Sequence, residues 1–326
     1  MPISARPIAC NGLAVLSLLI AGTAAAHAQG AGQFPAKRVN LIVGFAAGGF
    51  ADTLARSVGQ KLQDKWGQPV TVENRAGAGG NTAASFVAKA APDGHTILVT
   101  TTALAINETL YKQLDYKLSE LTAVAMPASS AESLAAHPSR PAPLKEFLDW
   151  AKGRDITFGS AGVGSGSHIA AEYFFKVLAK TKANHVPFRG GALSVQAAVG
   201  NQIDVVASSF GSAAQVKEGK LKGLAVAGHE RSVAMPEVPT FVEAGFEDFV
   251  AESWVGLFVP AKTDPAIVDK LNAAVNEIVS EEGTKQRLTG LGYQLAIRSV
   301  ADSNKYLATE VENWGTMVKA IGVTVE

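Results

Sequence analysis

The first third of the chain alternates between short apolar runs and longer segments with helical spacing. Residues 39–45, VNLIVGF, are almost entirely apolar and predict a buried strand, whereas apolar residues recur every three or four positions from about Phe50 and predict a helix. PVTVEN (69–74) and HTILVTTT (95–102) predict further strands, with a second helix from Asn81 between them. Strands that alternate with helices in this way indicate a parallel sheet wound by helices, which is an α/β fold.

The same alternation restarts after the proline-rich segment HPSRPAP at 137–143. Strands are predicted in ITFGS, ANHVPF, QIDVVA and LKGLAVAG, and helices in ALSVQAAVG, near 144–151 and from His168 to about Lys180. A second α/β lobe is therefore predicted.

A last, mainly helical section begins with WVGLFVP at 254–260. Pro265 and the spacing of Ser299 and Asp302 mark two helix starts within it. We expect these helices to return to the first lobe. Lobe I then comprises residues 29–126 and 253–326, and lobe II comprises residues 127–252.

Residues 1–28 predict an export signal rather than a part of the fold. Arg6 gives a positive start, residues 13–22 an apolar core, and Ala26 to Ala28 a small-residue cleavage site. The apolar run has about ten residues, and spanning a bilayer takes ~20. The sequence therefore predicts cleavage after about Ala28 and an exported protein.

Composition and charge exclude several classes of function. The 326 residues balance 29 Lys and Arg against 29 Asp and Glu, so no basic surface for nucleic acid or an anionic membrane is expected. Cys10 is the sole cysteine and precedes the cleavage site, so the mature chain has no disulfide, thiolate nucleophile or zinc-thiolate site. The histidines are scattered and no H-E-x-x-H occurs, so no metal site is predicted.

Two glycine-rich loops are the candidate binding elements. VGFAAGGFAD (43–52) and FGSAGVGSGSH (158–168) each follow a predicted strand and open a predicted helix. Such a junction directs free backbone N–H groups and the positive end of the helix dipole towards one point. One loop of this kind also occurs for purely steric reasons, but one in each lobe predicts a cleft that holds an acidic ligand between two helix starts.

Nucleotide and hydrolase functions fit these loops less well. GFAAGG is not G-x-G-x-x-G, and no phosphate-binding G-x-x-x-x-G-K-[ST] occurs. Ser165 and Ser167 beside His168 could suggest a nucleophile and a base, but no G-x-S-x-G is present and neighbouring residues at a helix start do not face each other. We therefore expect His168 to donate to a ligand or to cap the turn, and predict no catalytic residue.

Two charged residues near the loops have open roles. Asp52 in the first turn of its helix would repel an anion, so we expect it to hold the loop rather than the ligand. Arg189 in VPFRGG is either a counter-ion for a carboxylate or a surface arginine.

The order of several motifs resembles one known family. VNLIVGFAAGGFADTLAR, ENRAGAGGNTAASF, ITFGSAGVGSGSHIAAEYF, HVPFRGG, GNQIDVV and SWVGLFVPAKTDP together resemble the Bug receptors, the periplasmic solute receptors of tripartite tricarboxylate transporters. The resemblance runs from about Phe34 to the C-terminus.

The resemblance implies a two-lobed periplasmic-binding-protein fold of the second type, with the ligand cleft between the lobes. It also implies a monomeric periplasmic receptor without enzymatic activity or cofactor. Such a receptor takes a small carboxylate and delivers it to the membrane subunits of a transporter.

The resemblance also implies a set of ligand-binding positions in the two lobes. In the first lobe they are Phe45, Ala47, Gly48, Gly49, Phe50, Asp52 and Asn107; in the second they are Gly162, Gly164, Ser165, His168, Arg189, Gly190 and Ser208.

Two departures from the family pattern bear on the ligand. Many members have an aspartate where this chain has Ser208, and its absence disfavours an amino-acid ligand. The family usually has proline, two glycines and a small hydroxyl residue where this chain has Ala47 to Phe50. If Phe50 and Phe210 reach the cleft, they favour a partly apolar acid. Two alternative functions remain: a secreted Ser/His hydrolase, and a receptor that feeds a sensor instead of a transporter.

Overall fold

The structure is a computed structural model that describes Met1 and residues 34–326. The predicted export signal beyond Met1, its cleavage site and Cys10 lie outside the described residues. No helix of the described part of the chain is long and apolar enough to cross a membrane.

Within the described residues, the first sheet has six strands from two separate parts of the chain, 39–131 and 252–295. They are β1 (Val39–Val43), β2 (Val70–Asn74), β3 (Thr96–Thr101), β4 (Leu121–Ala131), β10 (Glu252–Pro260) and β11 (Gln294–Leu295). Their order is β11-β4-β10-β3-β1-β2. β1 pairs in parallel with β2 and β3, whereas β10 is antiparallel to both β3 and β4. β10 thus fills a central position in a sheet that the N-terminal part of the chain begins.

Helices cover this sheet and form its core with the apolar strands. They are α1 (Phe50–Trp66), α2 (Asn81–Ala88), α3 (Ala103–Leu110), α8 (Pro265–Ser280), α9 (Glu282–Gly290) and α10 (Val300–Ile321). α1 begins at the predicted residue and buries Leu54, Val58 and Leu62 against the sheet. The predicted helix starts at Pro265 and after Ser299 are confirmed, and the Ser299 hydroxyl accepts from the Asp302 N–H.

The second sheet has five strands in the order β7-β6-β8-β5-β9. They are β5 (Ser133–Ala136), β6 (Ile156–Ser160), β7 (Ala183–Pro187), β8 (Val205–Ser208) and β9 (Lys222–Val226), with helices α4 (Leu144–Ala151), α5 (Gly166–Tyr173), α6 (Gly191–Val199) and α7 (Ser212–Lys217). α5 starts two residues before the predicted His168, because the Ser165 side chain caps it, and it continues as a π-helical turn over Phe174–Leu178.

The chain passes between the sheets at two adjacent places. Residues 121–136 had no predicted element, yet they form β4 of the first sheet and β5 of the second, with Glu132 alone between them. The chain returns from the second sheet to the first through residues 227–251, the return passage. Two backbone hydrogen bonds join this passage to Glu132: the Glu132 N–H donates to the Ala251 carbonyl at 2.9 Å, and the Ala227 N–H donates to the Glu132 carbonyl at 2.7 Å. The lobe limits given by the sequence stay a prediction, because strand pairing alone does not define them.

Candidate ligand cleft

A cleft between the two sheets is lined by residues from both. Its lining is Phe45, Gly49, Phe50, Ala51, Thr101 and Ser253 from the first sheet side, Ala161, Ser165, Gly166, Ser167, Gly190, Gly191, Ser208, Ser209 and Phe210 from the second, and Glu132 between them. The lining is rich in hydroxyl groups, and among residues 34–326 it contains no lysine, arginine or histidine.

Three helices begin at this cleft. α1 follows Gly49, α5 follows Ser165 and α6 follows Gly190. Gly49 and Gly190 form no side-chain cap, so the first N–H groups of α1 and α6 are left for a ligand or water. Gly190 has φ 131°, a conformation that favours glycine, and an added Cβ would come within 3.4 Å of Ala46 across the cleft.

Asp52 holds the first glycine loop in place. Its side chain is buried, and one carboxylate oxygen accepts from the Gly48 N–H at 2.8 Å and from Arg56 Nε at 2.9 Å. Asn74 donates to the other oxygen at 2.8 Å and to the Phe45 carbonyl at 2.9 Å. Burial by itself would raise the pKa of Asp52, but the bonds from Arg56, Gly48 and Asn74 hold that pKa below its usual value. Asp52 therefore orients the loop from behind and remains charged.

The polar groups at the start of α5 are hydrogen-bonded to one another within the second glycine loop. Ser165 Oγ donates to the Gly162 carbonyl at 2.7 Å and accepts from the His168 N–H at 3.2 Å, while Ser167 Oγ accepts from the Ala161 N–H at 3.1 Å. The buried His168 ring accepts from the Gly164 N–H at 3.3 Å. Neither serine is hydrogen-bonded to a histidine ring, so this arrangement lacks the contact that a serine nucleophile and its base require.

Asn107 lies behind the cleft wall. Its amide donates to the Gly79 carbonyl at 3.1 Å and to Asn81 Oδ1 at 2.8 Å, and its side chain is fully buried. A Cβ on Gly164 would stand 2.6 Å from Asn107 Oδ1, so the loops of the two sheets touch here.

A second pocket adjoins the cleft and shares Phe45 and Ala161 with it. Gly162 and Arg189 line this pocket together with residues 76–80. Arg189 is exposed and forms no ion pair within the described part of the chain, so its guanidinium is available to a ligand or to water.

The predicted site residues thus fall into three groups. Those that line the cleft are Phe45, Gly49, Phe50, Ser165, Gly190 and Ser208; those in the adjoining pocket are Gly162 and Arg189; those that line neither are Ala47, Gly48, Asp52, Asn107, Gly164 and His168. Contact of any of them with a ligand stays a prediction.

Aromatic rings form one wall of the cleft. Phe50 stacks on Tyr293 with ring centres 4.8 Å apart, and Phe210 lies 5.9 Å from Phe50 and 5.2 Å from Tyr293. Both phenylalanines line the cleft. Ser208 shapes the adjacent turn, because its hydroxyl donates to the Phe210 carbonyl and accepts from the Phe210 N–H.

Glu132, Thr101 and Ser253 line the cleft but were not predicted. Glu132 is only 3% exposed. Its Oε1 accepts from the Ser253 hydroxyl at 2.5 Å, and its Oε2 has no hydrogen-bond partner. Burial raises the pKa of Glu132 to about 8, against the lowering effect of the Ser253 bond. The available signal was one acidic residue inside a run of small and apolar residues at 121–136.

Comparison with known proteins places the chain in a family. Residues 54–323 match the tripartite tricarboxylate transporter family receptor. The chain is 30% identical over 321 residues to protein BugT of Bordetella pertussis, covering 96% of this chain and 98% of that protein.

Two solved structures from Rhodopseudomonas palustris are similar over most of their length. MatC with bound malate has 34% identity and a TM-score of 0.83, covering 87% of this chain and all of MatC (100%). Rpa4515 with adipate has 26% identity and a TM-score of 0.85, covering 89% of this chain and 99% of that chain. The predicted resemblance and the predicted two-lobed binding-protein fold are confirmed. The chain therefore belongs to the tripartite tricarboxylate transporter receptor family of solute-binding proteins.

Proposed function

We propose that this protein is a periplasmic receptor that captures a small organic carboxylate between its lobes and delivers it to a tripartite tricarboxylate-type membrane permease. The observation that carries the proposal is the cleft itself, where helix starts from both sheets and six hydroxyl side chains surround one space. Backbone N–H groups at helix starts are suited to hold a carboxylate without a basic side chain.

The two similar structures support a carboxylate ligand. One is described with malate and the other with adipate, and both molecules carry two carboxylate groups. A ligand with two acidic ends could reach the start of α1 with one end and that of α6 with the other.

Binding of this kind favours the closed form of the receptor. Each end of the ligand contacts one lobe, so all contacts form together only when the lobes close. Phe50 of the first lobe and Phe210 of the second pack against each other in one wall of the cleft and would cover an apolar middle section of the ligand.

The hydrolase alternative has no support in the serine contacts described above. A receptor that feeds a sensor would bind its ligand in the same way, so that alternative concerns the partner rather than the cleft. We further propose that the receptor is exported, monomeric and free of any cofactor.

Thermal melting of the chain from Gln29 onward against a panel of acids tests the proposed function. The panel comprises citrate, succinate, malate, glutamate, nicotinate, terephthalate and adipate. An acid at 100 times its dissociation constant should stabilise the protein by about 2.7 kcal/mol. We expect a clear rise in Tm with at least one acid.

Adipamide and 1,6-hexanediol are the matched controls, because they keep the chain length of adipate and lack its charge. The protein is first unfolded and refolded to remove any carried-over ligand. A Tm that stays constant with every acid would contradict the proposed function.

A further inference from the structure

We propose that Glu132 meets the ligand in its protonated form and donates a hydrogen bond from Oε2 to a ligand carboxylate oxygen. Glu132 is then a specificity-determining residue for acidic ligands. This inference rests on the proposed function and specifies the chemistry of the same cleft.

The position of Glu132 is fixed by its backbone. It is the single residue between β4 and β5, and both its N–H and its carbonyl are bonded to the return passage at Ala251 and Ala227. Its carboxyl group is buried at the cleft, close to the start of α5: a Cβ on Gly166 would stand 2.9 Å from Glu132 Oε1.

The hydrogen bonds around Glu132 decide where its proton lies. Ser253 Oγ accepts from Thr102 Oγ1 at 2.9 Å and donates to Glu132 Oε1 at 2.5 Å. Because Oε1 already accepts this proton, the acid proton of Glu132 belongs on Oε2. That oxygen has no partner among the described residues, so the buried O–H donor needs an acceptor, which a ligand in the cleft would supply.

The surroundings favour the neutral form. Behind Glu132 the side chains are apolar, among them Ala170, Phe174, Phe241 and Phe249. No basic side chain lines the cleft, so nothing in the lining would compensate a negative charge on Glu132.

The titratable groups on the neighbouring elements lie away from its carboxyl. They are Glu252 on β10, which accepts from Ser129 Oγ; His168, Glu172 and Tyr173 on α5; Glu108 on α3; and the exposed Arg231–Glu243 pair in the return passage. The raised pKa of Glu132 has burial as its only raising cause.

The charge state of Glu132 determines whether the cleft favours a carboxylate or an ammonium group of a ligand. Ionised, it would repel a carboxylate and attract an ammonium group. Protonated, it forms a short, charge-assisted hydrogen bond with a carboxylate oxygen. The helix starts facing the same cleft also favour negative charge on the ligand, so the two features act together.

Binding of adipate and of malate, measured by calorimetry from pH 6.5 to 9.5, tests the inference. We expect an affinity that is constant below pH ~8 and falls about tenfold per pH unit above it, because Glu132 must regain its proton to bind. Infrared spectra of the ligand-free protein at pH 7 should show the C=O stretch of a protonated carboxyl that is absent in E132Q.

Three variants test whether Glu132 acts through the hydrogen-bond donor on its Oε2 or in another way. E132Q keeps an acceptor for Ser253 and supplies a neutral N–H donor, so its affinity should stay within a few-fold of wild type at pH 7 and remain constant to pH 9.5. E132L removes the donor and should weaken binding about 10- to 100-fold. E252Q is the matched control, because Glu252 lies one residue from Ser253 but outside the cleft lining, and it should keep the wild-type pH dependence.

An affinity for adipate or malate that rises with pH, or a large loss of their binding in E132Q at pH 7, would show that the ionised form of Glu132 supports binding and would overturn the inference. An affinity for adipate or malate that is independent of pH would also overturn it, while leaving the proposed function intact. If the protein binds no acid at all, the proposed function fails, and the inference fails with it.

Discussion

The buried His168 ring stacks on the half-buried His185 ring beneath the second glycine loop. Their ring centres are 4.0 Å apart, and His185 also stacks on Phe158 and is bonded to Ser160 Oγ at 2.6 Å. Burial lowers the pKa of His168 to about 4, and burial together with His168 lowers that of His185 to about 3. Both rings are therefore neutral in the folded protein near neutral pH.

This pair predicts a loss of stability in mild acid. In the unfolded chain these histidines take up protons near pH 6.5, the usual pKa of histidine. In the folded protein His168 is protonated only near its pKa of about 4, and His185 only near its pKa of about 3. The contribution of the pair is complete above pH 6.5 and is lost as the pH falls towards 4.

Between pH 6 and 4, the pair makes the free energy of unfolding fall as the pH falls. We expect H185F to reduce this part of the pH dependence by about half, because it removes one of the two titrating rings. Urea unfolding at several pH values measures the slope. H229Q, a change at an exposed histidine, should leave it unaltered. An H185F slope equal to that of wild type would mean that His185 does not contribute, which would contradict the prediction.

At the scale of the elements, a buried acid, Glu310, is among the residues that attach the long helix α10 to the first sheet. Glu310 Oε2 accepts from the indole N–H of Trp254 on β10 and of Trp314 on α10, both at 3.0 Å. Trp254 and Trp314 are themselves almost fully buried. Glu310 thus provides the acceptor for two buried indole N–H donors.

We predict that E310L lowers the free energy of unfolding by about 2–6 kcal/mol, because each unpaired buried donor costs roughly 1–3 kcal/mol. E310Q retains one acceptor oxygen and should cost much less. Chemical denaturation followed by tryptophan fluorescence measures both, with the exposed E312L as the control on the same helix. Equal stabilities of E310L and E312L would show that the two indoles find other partners.

The elements that the sequence predicted well are those with a strong periodic signal or a clear start. α1 and the helices after Asp264 and Ser299 combine apolar spacing with a capping residue. Residues 121–136 lack that contrast, since many of them are alanine or serine and the apolar residues do not alternate regularly with polar ones. Glu132 was missed for the same reason: its importance depends on burial at the passage between sheets, which pairing across more than a hundred residues creates.

The predicted loops converge on one cleft, but the distances within it could not be read from residue spacing. Asp52 and His168 belong to the correct loops and yet face the backbone behind the cleft. Which side of a loop a side chain occupies depends on turns with left-handed glycines, such as Gly48 and Gly164.

At the scale of the whole molecule, Gly166 at the start of α5 lies close to β10 of the other sheet. A Cβ there would lie 2.1 Å from Ser253 Oγ on β10, although the φ of Gly166 is not left-handed. We expect a ligand-free form with the lobes apart to relieve this contact. A side chain at 166 is then expected to act on closure rather than on folding.

We expect G166A to weaken binding of the acid identified in the melting panel by about 5- to 100-fold, from an overpacking cost of ~1–3 kcal/mol. Small-angle scattering should show that this acid reduces the radius of gyration of wild type but not of G166A. G283A is the control, because nothing lies within 4 Å of a Cβ at that position. Closure of G166A to the wild-type radius would place the closing contact elsewhere.

The central position of β10 in the first sheet has a consequence for how the protein is made. β3 and β4 are both synthesised early, but the strand that joins them, Glu252–Pro260, follows more than a hundred residues later. Until it emerges, the edges of β3 and β4 remain unpaired, and such distant pairing is slow. The second lobe is complete before that moment. During synthesis or export, the middle of the chain can therefore fold first, while the first sheet waits for β10 with two strand edges open to wrong pairing.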